Sequence, residues 1–344
     1  MHNIIIKGAP GSPYTRKMLS IMRYRRIPYE YVITGLDNKG IMNKKSLPNA
    51  KVNLLPTFYF SDENDNLEPM IDSTFILRRL EKMISFRSII PNNTVAKFLN
   101  YLLEDYADEW LTKSTFHYRW SYKNDIEKAG STLSRWTSLT KTDNEIKEIK
   151  NQIQNRQISR LKVVGSNSIT AEIIENSYKR FLKLIASHMN NFPFIFGKRP
   201  SSSDFAIFGQ LSQLVAFDPT PMEIADKIAP RIVAWTGIME DLSGLDISVN
   251  DWRFDPENSQ TLKNIFSEIG EVYIPLLLAN ADAIKNKKKI VNVVINNKNW
   301  TQEPFSYQLK CLNWIKEEYY NLDINSKKVL DSFLEETGCE SILR

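Results

Sequence analysis

The chain has 344 residues, 42% of them hydrophobic and 25% charged, the balance of an ordinary globular protein with room for two domains. Its 45 basic and 40 acidic side chains leave a formal charge of only +5, and the one basic run (Lys285, Lys287, Lys288, Lys289) has no interleaved aromatic residues to stack on bases, so it reads as a solvated helix end with no nucleic-acid partner. No apolar run approaches the roughly 18–20 residues of a membrane span, and residues 3–7 lack the ordered basic, apolar and small-residue regions of a signal peptide, so a cytoplasmic protein without a membrane partner is expected.

Residues 3–7 form a short apolar strand, followed by a turn rich in Gly and Pro over residues 8–12. Ser12 then caps a helix with Pro13 at its first position, and Met18, Leu19, Met22 and Ile27 keep a helical rhythm until Pro28 ends it. Residues 29–33, aromatic and β-branched, predict a second strand. A polar segment follows over 35–53, with room for one short helix. Residues 54–60 then give a strand entered through Pro56, residues 62–66 a turn, and residues 67–71 its partner strand. Asp72 and Ser73 cap a helix carrying Phe75, Ile76, Leu77, Leu80 and Met83.

From residue 94 the pattern is helical, with candidates at 94–113, 142–160, 170–190, 203–216 and 230–243, while 118–168 is polar and weakly patterned. The remainder predicts a helix over 258–285, a hairpin over 289–303 turning at Asn296 and Asn297, and helices over 305–321 and 325–337. The expected organisation is therefore a domain over 1–84, an all-helical domain over 94–250, and an extension over 251–344 packed on the helical domain.

Two cysteines, Cys311 and Cys339, form no CxxC pair, and His2, His117 and His188 are scattered. A metal site is not expected. The chemistry-bearing signals lie elsewhere. Gly11-Ser12-Pro13-Tyr14-Thr15-Arg16-Lys17 stands at a strand-to-helix turn, Leu55-Pro56-Thr57 enters a strand, and Asp72-Ser73 opens a helix. Further on, Ser201 and Asp204 within Phe194-Ile195-Phe196-Gly197-Lys198-Arg199-Pro200-Ser201-Ser202-Ser203-Asp204-Phe205 make an S-x-x-D box at a helix start.

In that order these four signals resemble the glutathione transferase superfamily. The resemblance implies an α/β thioredoxin-like N-terminal domain, an all-α second domain and glutathione as co-substrate, with the helical and hairpin extension added. It also implies a cis bond before Pro56, pairing of the Leu55 backbone with the tripeptide's cysteine, and a γ-glutamyl end held by Asp72 and Ser73. Ser12 is then the candidate catalytic residue, its hydroxyl aimed at the glutathione sulfur, with Tyr14 as runner-up. Only the thiolate of glutathione is a good nucleophile, and a hydroxyl donor at a helix start favours it. The run Ser12-Pro13-Tyr14-Thr15 is similar to the Cys-Pro-Tyr-Cys of glutaredoxins with hydroxyls for both thiols, which argues against disulfide exchange. No partner is assigned to the glycine carboxylate: Lys44, Lys45 and Lys51 lie in the right loop, but lysines in loops are usually just solvated.

The resemblance therefore implies a glutathione S-transferase acting on a hydrophobic electrophile, as a homodimer. A non-catalytic ligand-binding or interaction protein, and a glutathione-dependent lyase, reductase or isomerase, are the alternatives. Trp110, Phe116, His117, Tyr118 and Trp120 are candidates to line an acceptor pocket, with core packing the equal alternative and no role as a base expected for His117.

Overall fold

The computed structural model describes residues 4–33, 47–64, 66–136, 139–255 and 259–343. Strand β1 (Ile4–Gly8) is buried along its whole length, which is why residues of both alternating faces are apolar. It lies inside a four-stranded sheet of order β2-β1-β3-β4, formed with β2 (Glu30–Ile33), β3 (Thr57–Ser61) and β4 (Leu67–Met70). β1 runs parallel to β2 and antiparallel to β3, and β3 pairs antiparallel with β4. Pro69 is tolerated because β4 is an edge strand. Helices α1 (Pro13–Tyr24) and α2 (Ser73–Met83) complete the thioredoxin-like unit that the resemblance implies. Part of the polar segment, residues 34–46, lies outside the described residues.

The second region is helical: α3 (Thr94–Tyr106), α4 (Thr112–Ser121), α5 (Lys123–Arg135), α6 (Asp143–Ile158), α7 (Ala171–His188), α8 (Ser202–Leu214), α9 (Pro219–Ile228) and α10 (Pro230–Ile238). α3 passes into α4 through a π-helical turn over Ala107–Leu111. α4, α5 and α9 go beyond the expected helices. α8 is buried throughout, and its capping box forms as expected: the Asp204 carboxylate accepts from the Ser201 amide at 2.8 Å and from the Ile195 amide at 3.0 Å. α1 packs against α8 at a close approach, because a Cβ on Gly209 would stand 2.7 Å from the Pro13 carbonyl oxygen.

The helix expected over 258–285 is two helices, α11 (Gln260–Glu268) and α12 (Ile274–Lys285), joined by a π-helical turn over Ile269–Tyr273. Pro275 has no amide hydrogen to continue a regular α-helical ladder across the joint. The hairpin is β5 (Val291–Ile295) with β6 (Lys298–Gln302), and both turn residues, Asn296 and Asn297, have positive φ. α13 (Ser306–Tyr320) and α14 (Ile324–Thr337) follow. The extension packs on the helical region: Glu268 accepts from Ser177 at 2.6 Å and Arg180 at 2.7 Å, and the Trp300 and Trp110 rings lie 5.3 Å apart. It also crosses to the sheet domain, where Trp314 meets Phe75 edge-to-face at 4.8 Å.

Candidate functional site

The turn between β1 and α1 places Ser12 at the N-cap of α1 in an extended backbone conformation. Its Oγ accepts from the Thr15 amide at 3.2 Å and donates to the Leu55 carbonyl at 3.4 Å. The capping role and the reach toward Leu55 therefore coexist in one hydroxyl, and the second bond is long enough to be exchanged for a better acceptor. The Leu55–Pro56 peptide is cis, as the resemblance implies. Thr57 holds the approach to this peptide by donating its hydroxyl to the Leu54 carbonyl at 2.7 Å.

β4, paired with β3, delivers Asp72 and Ser73 to the start of α2 beside the same strand. Asp72 has φ of 77°, an unusual backbone for a residue with a side chain, and its Oδ1 accepts from the Thr74 amide at 3.1 Å. Ser73 is buried and Asp72 half-buried. The Asp72 Oδ2 accepts from the Tyr307 hydroxyl of α13 at 2.6 Å. Tyr307 was not among the expected site residues.

Tyr14, the runner-up, points away from the turn. Its hydroxyl donates to the Asp108 carbonyl at 2.7 Å, and burial followed by the charges of Glu109 and Asp108 pushes its phenol well above the ordinary range. That donor is committed to the contact with the helical region. Nearby, Lys17 is buried against Glu104 at 2.9 Å and Asp108 at 2.6 Å. Burial alone would lower the Lys17 ammonium, but the two carboxylates outweigh it and hold the charge in place. Burial pushes Asp108 up to about 6 in spite of Lys17, and Asp105, bonded to the Tyr273 hydroxyl, up to about 7.

Two further residues of the helical region hold the Ser12 turn. Arg119 donates to the Gly11 carbonyl at 2.9 Å, and Gln213 donates to the Pro10 carbonyl at 3.2 Å. Arg119 is itself fixed on the Asp218 carboxylate, with Nε 2.9 Å from Oδ1 and Nη2 2.8 Å from Oδ2. No local sequence signal marks either residue.

Of the two alternatives for the aromatic group, acceptor pocket or core packing, the structure favours core packing. Trp110, His117, Tyr118 and Trp120 are buried in the core and Phe116 is half-buried. The extension explains Trp110: Trp300 covers it, with the Lys113 ammonium 5.5 Å from the Trp300 ring. His117 has both ring nitrogens engaged, with Ser166 at 2.8 Å and Glu175 at 3.2 Å, and burial lowers its pKa. It packs, as expected. A cleft lined by Asn93, Phe196, Trp252 and Phe254 shares no residue with the Ser12 turn. Lys44 and Lys45 lie outside the described residues, and Lys51 is exposed. Among the described residues no group of three or more His, Cys, Asp or Glu is arranged to hold a metal ion, and no helix is long and apolar enough to cross a membrane.

Residues 7–84, from the end of β1 through α2, match the family model of the glutathione S-transferase N-terminal domain. This N-terminal domain belongs to the glutathione S-transferase superfamily. Solved glutathione transferases resemble the chain remotely. A family member from Pseudomonas fluorescens with two glutathione bound is 14% identical, covers 69% of this chain and 92% of its own, and gives a TM-score of 0.41. The Tau class enzyme of mango, Mangifera indica, is 15% identical, with coverages of 76% and 95% and a TM-score of 0.41. A rice glutathione S-transferase in complex with glutathione is 17% identical, with coverages of 74% and 93% and a TM-score of 0.37. No curated protein matches. In the glutathione S-transferase domain of this chain, Ser12, Leu55, Pro56, Asp72 and Ser73 all lie within the matched residues.

Proposed function

We propose that this protein binds glutathione along the edge formed by Ser12, Leu55, Asp72 and Ser73, and that Ser12 holds the thiolate for attack on a hydrophobic electrophile. The single observation that carries the reading is the Ser12 hydroxyl, seated on the first turn of α1 and shared with the Leu55 carbonyl at 3.4 Å. A cysteine backbone paired with Leu55 brings its sulfur next to that hydroxyl. The donor then passes from a long neutral bond to a charge-assisted one, beside the positive end of α1. The residues at the other end also suit the ligand: a hydroxyl and helix-start amides for the γ-glutamyl carboxylate, and the Asp72 carboxylate for its ammonium. Glutathione supplies the nucleophilic sulfur; the chain supplies its orientation and its ionisation. A homodimeric, cytoplasmic enzyme is part of the reading, on family resemblance.

One observation favours a second reading, a glutathione-binding protein without turnover. Four of the five aromatic candidates for the acceptor side are buried in the core, and the extension covers Trp110. Calorimetric titration with glutathione, followed by a panel of hydrophobic electrophiles, separates the two. Saturable binding with conjugation supports the transferase, binding without conjugation supports the second reading, and absence of binding contradicts both.

A further inference from the structure

The C-terminal extension reaches the end of the site opposite to Ser12. α13 begins at Ser306, and its second residue, Tyr307, donates its hydroxyl to Asp72 Oδ2 at 2.6 Å. The other oxygen of the same carboxylate accepts from the Thr74 amide at 3.1 Å. Asp72 is thus fixed from both sides by groups of this chain. The phenol is held in turn: its ring lies 5.9 Å from that of Trp314 in an edge-on contact and 6.2 Å from that of Phe305. Trp314 packs on Phe75 in the first turn of α2. Burial and the Asp72 charge raise the Tyr307 phenol, so it stays protonated and remains a donor at any ordinary pH.

We infer that Tyr307 is a further residue of the thiol-peptide site, competing with the ligand's α-ammonium for Asp72 and so setting how strongly the site selects a peptide with a free amino group. The inference rests on the reading of Asp72 and Ser73 as the γ-glutamyl end. An ammonium brings a full charge and three donors to the carboxylate, whereas the phenol brings one neutral donor; the ammonium wins, but only by the difference between the two. A ligand that lacks the amine leaves the Tyr307 bond intact and feels no competition. The extension therefore lowers affinity for the natural amine-bearing ligand while leaving a des-amino ligand unaffected.

The test uses the full chain, as wild type and as Tyr307→Phe, which removes the hydroxyl and keeps the ring on Trp314. Each is titrated calorimetrically with glutathione and with glutaryl-cysteinyl-glycine, the same peptide without the α-amine. Tyr307→Phe is expected to bind glutathione about tenfold more tightly, the scale of one hydrogen bond to a charged group, with the des-amino peptide unchanged. In an Asp72→Asn background the same substitution is expected to change neither. Unchanged or weaker glutathione binding in Tyr307→Phe overturns the inference and leaves the site reading standing. Equal gains for both peptides also overturn it, because the phenol then acts only as a wall. Failure of both proteins to bind glutathione overturns the site reading and this inference with it.

Discussion

The guanidinium of Arg119 donates to the carbonyl of Gly11 at 2.9 Å, one residue before Ser12, while its other edge lies on the buried carboxylate of Asp218. The helical region thereby sets the position of a turn that belongs to the sheet domain. Truncation to Arg119→Ala leaves Asp218 buried without its cation, a change that costs about 3–5 kcal/mol. Arg119→Lys keeps the charge, yet a single ammonium cannot serve Asp218, Gln213 and Gly11 in the fork geometry that the guanidinium provides. Denaturant unfolding is expected to show the large loss for alanine and a smaller one for lysine. A loss below about 1 kcal/mol for alanine contradicts the clamp.

The contact between α1 and α8 allows no side chain at Gly209. A Cβ there would meet the Pro13 carbonyl oxygen at 2.7 Å and the Lys17 Cβ at 3.0 Å, so the start of α1 has to move to admit it. Gly209→Ala is expected to destabilise the protein by about 1–3 kcal/mol, despite the higher helix propensity of alanine, and to displace Ser12 with Pro13. A thermal melt at or above the wild-type midpoint contradicts that packing.

Three buried carboxyls are each expected to contribute a loss of stability as pH rises from about 4 to 7, opposed in the upper part of that window by the buried His117 and His188, whose pKa values burial lowers. Asp105 is pushed up to about 7, and Asp108 and Asp204 to about 6, in each case chiefly by burial. The sign follows from proton uptake: between the ordinary carboxylate range near 3.9 and these raised values, the folded chain holds protons that the unfolded chain has released. Each group thus costs nothing below the lower bound and its full penalty above the upper one. Asp105→Asn removes one such penalty and keeps an acceptor for Tyr273, so it is expected to raise stability by about 1–3 kcal/mol at pH 8 and by little at pH 5. Equal effects at both pH values, measured by urea unfolding, contradict the assignment.

What was legible in the sequence is what is decided locally. The buried run Ile4, Ile5, Ile6, the proline entering β3, the asparagine turn of the hairpin and the Ser201–Asp204 cap each carry their own signal, and all form as expected. α5 was illegible because its buried positions are small or polar (Asp125, Ala129, Gly130, Ser134), which leaves no apolar rhythm. α9 was hidden by Pro219 and Pro221, which sit in its first turn and not at a break. Spacing could not choose between pocket and core for the aromatic group, because the partners lie elsewhere in the chain: Trp110 is covered by Trp300 of the hairpin, and Tyr118 packs on Tyr178 of α7. For the same reason Arg119 and Tyr307, 108 and 235 positions from their partners at the site, could not be found by spacing.

The most direct measurement is the ionisation of the bound glutathione thiol, followed by thiolate absorbance across pH in the wild type and in Ser12→Ala. A free thiol ionises near about 8.5. The wild-type complex is expected to ionise below that value, and the alanine variant to move back toward it as one charge-assisted hydrogen bond of about 1.5–3 kcal/mol is lost. Conjugation rates should then drop about ten- to a hundredfold, with affinity nearly unchanged because Asp72, Ser73 and the Leu55 backbone hold the rest of the peptide. A bound thiol that titrates like free glutathione in the wild type, or identically in both proteins, contradicts the role given to Ser12.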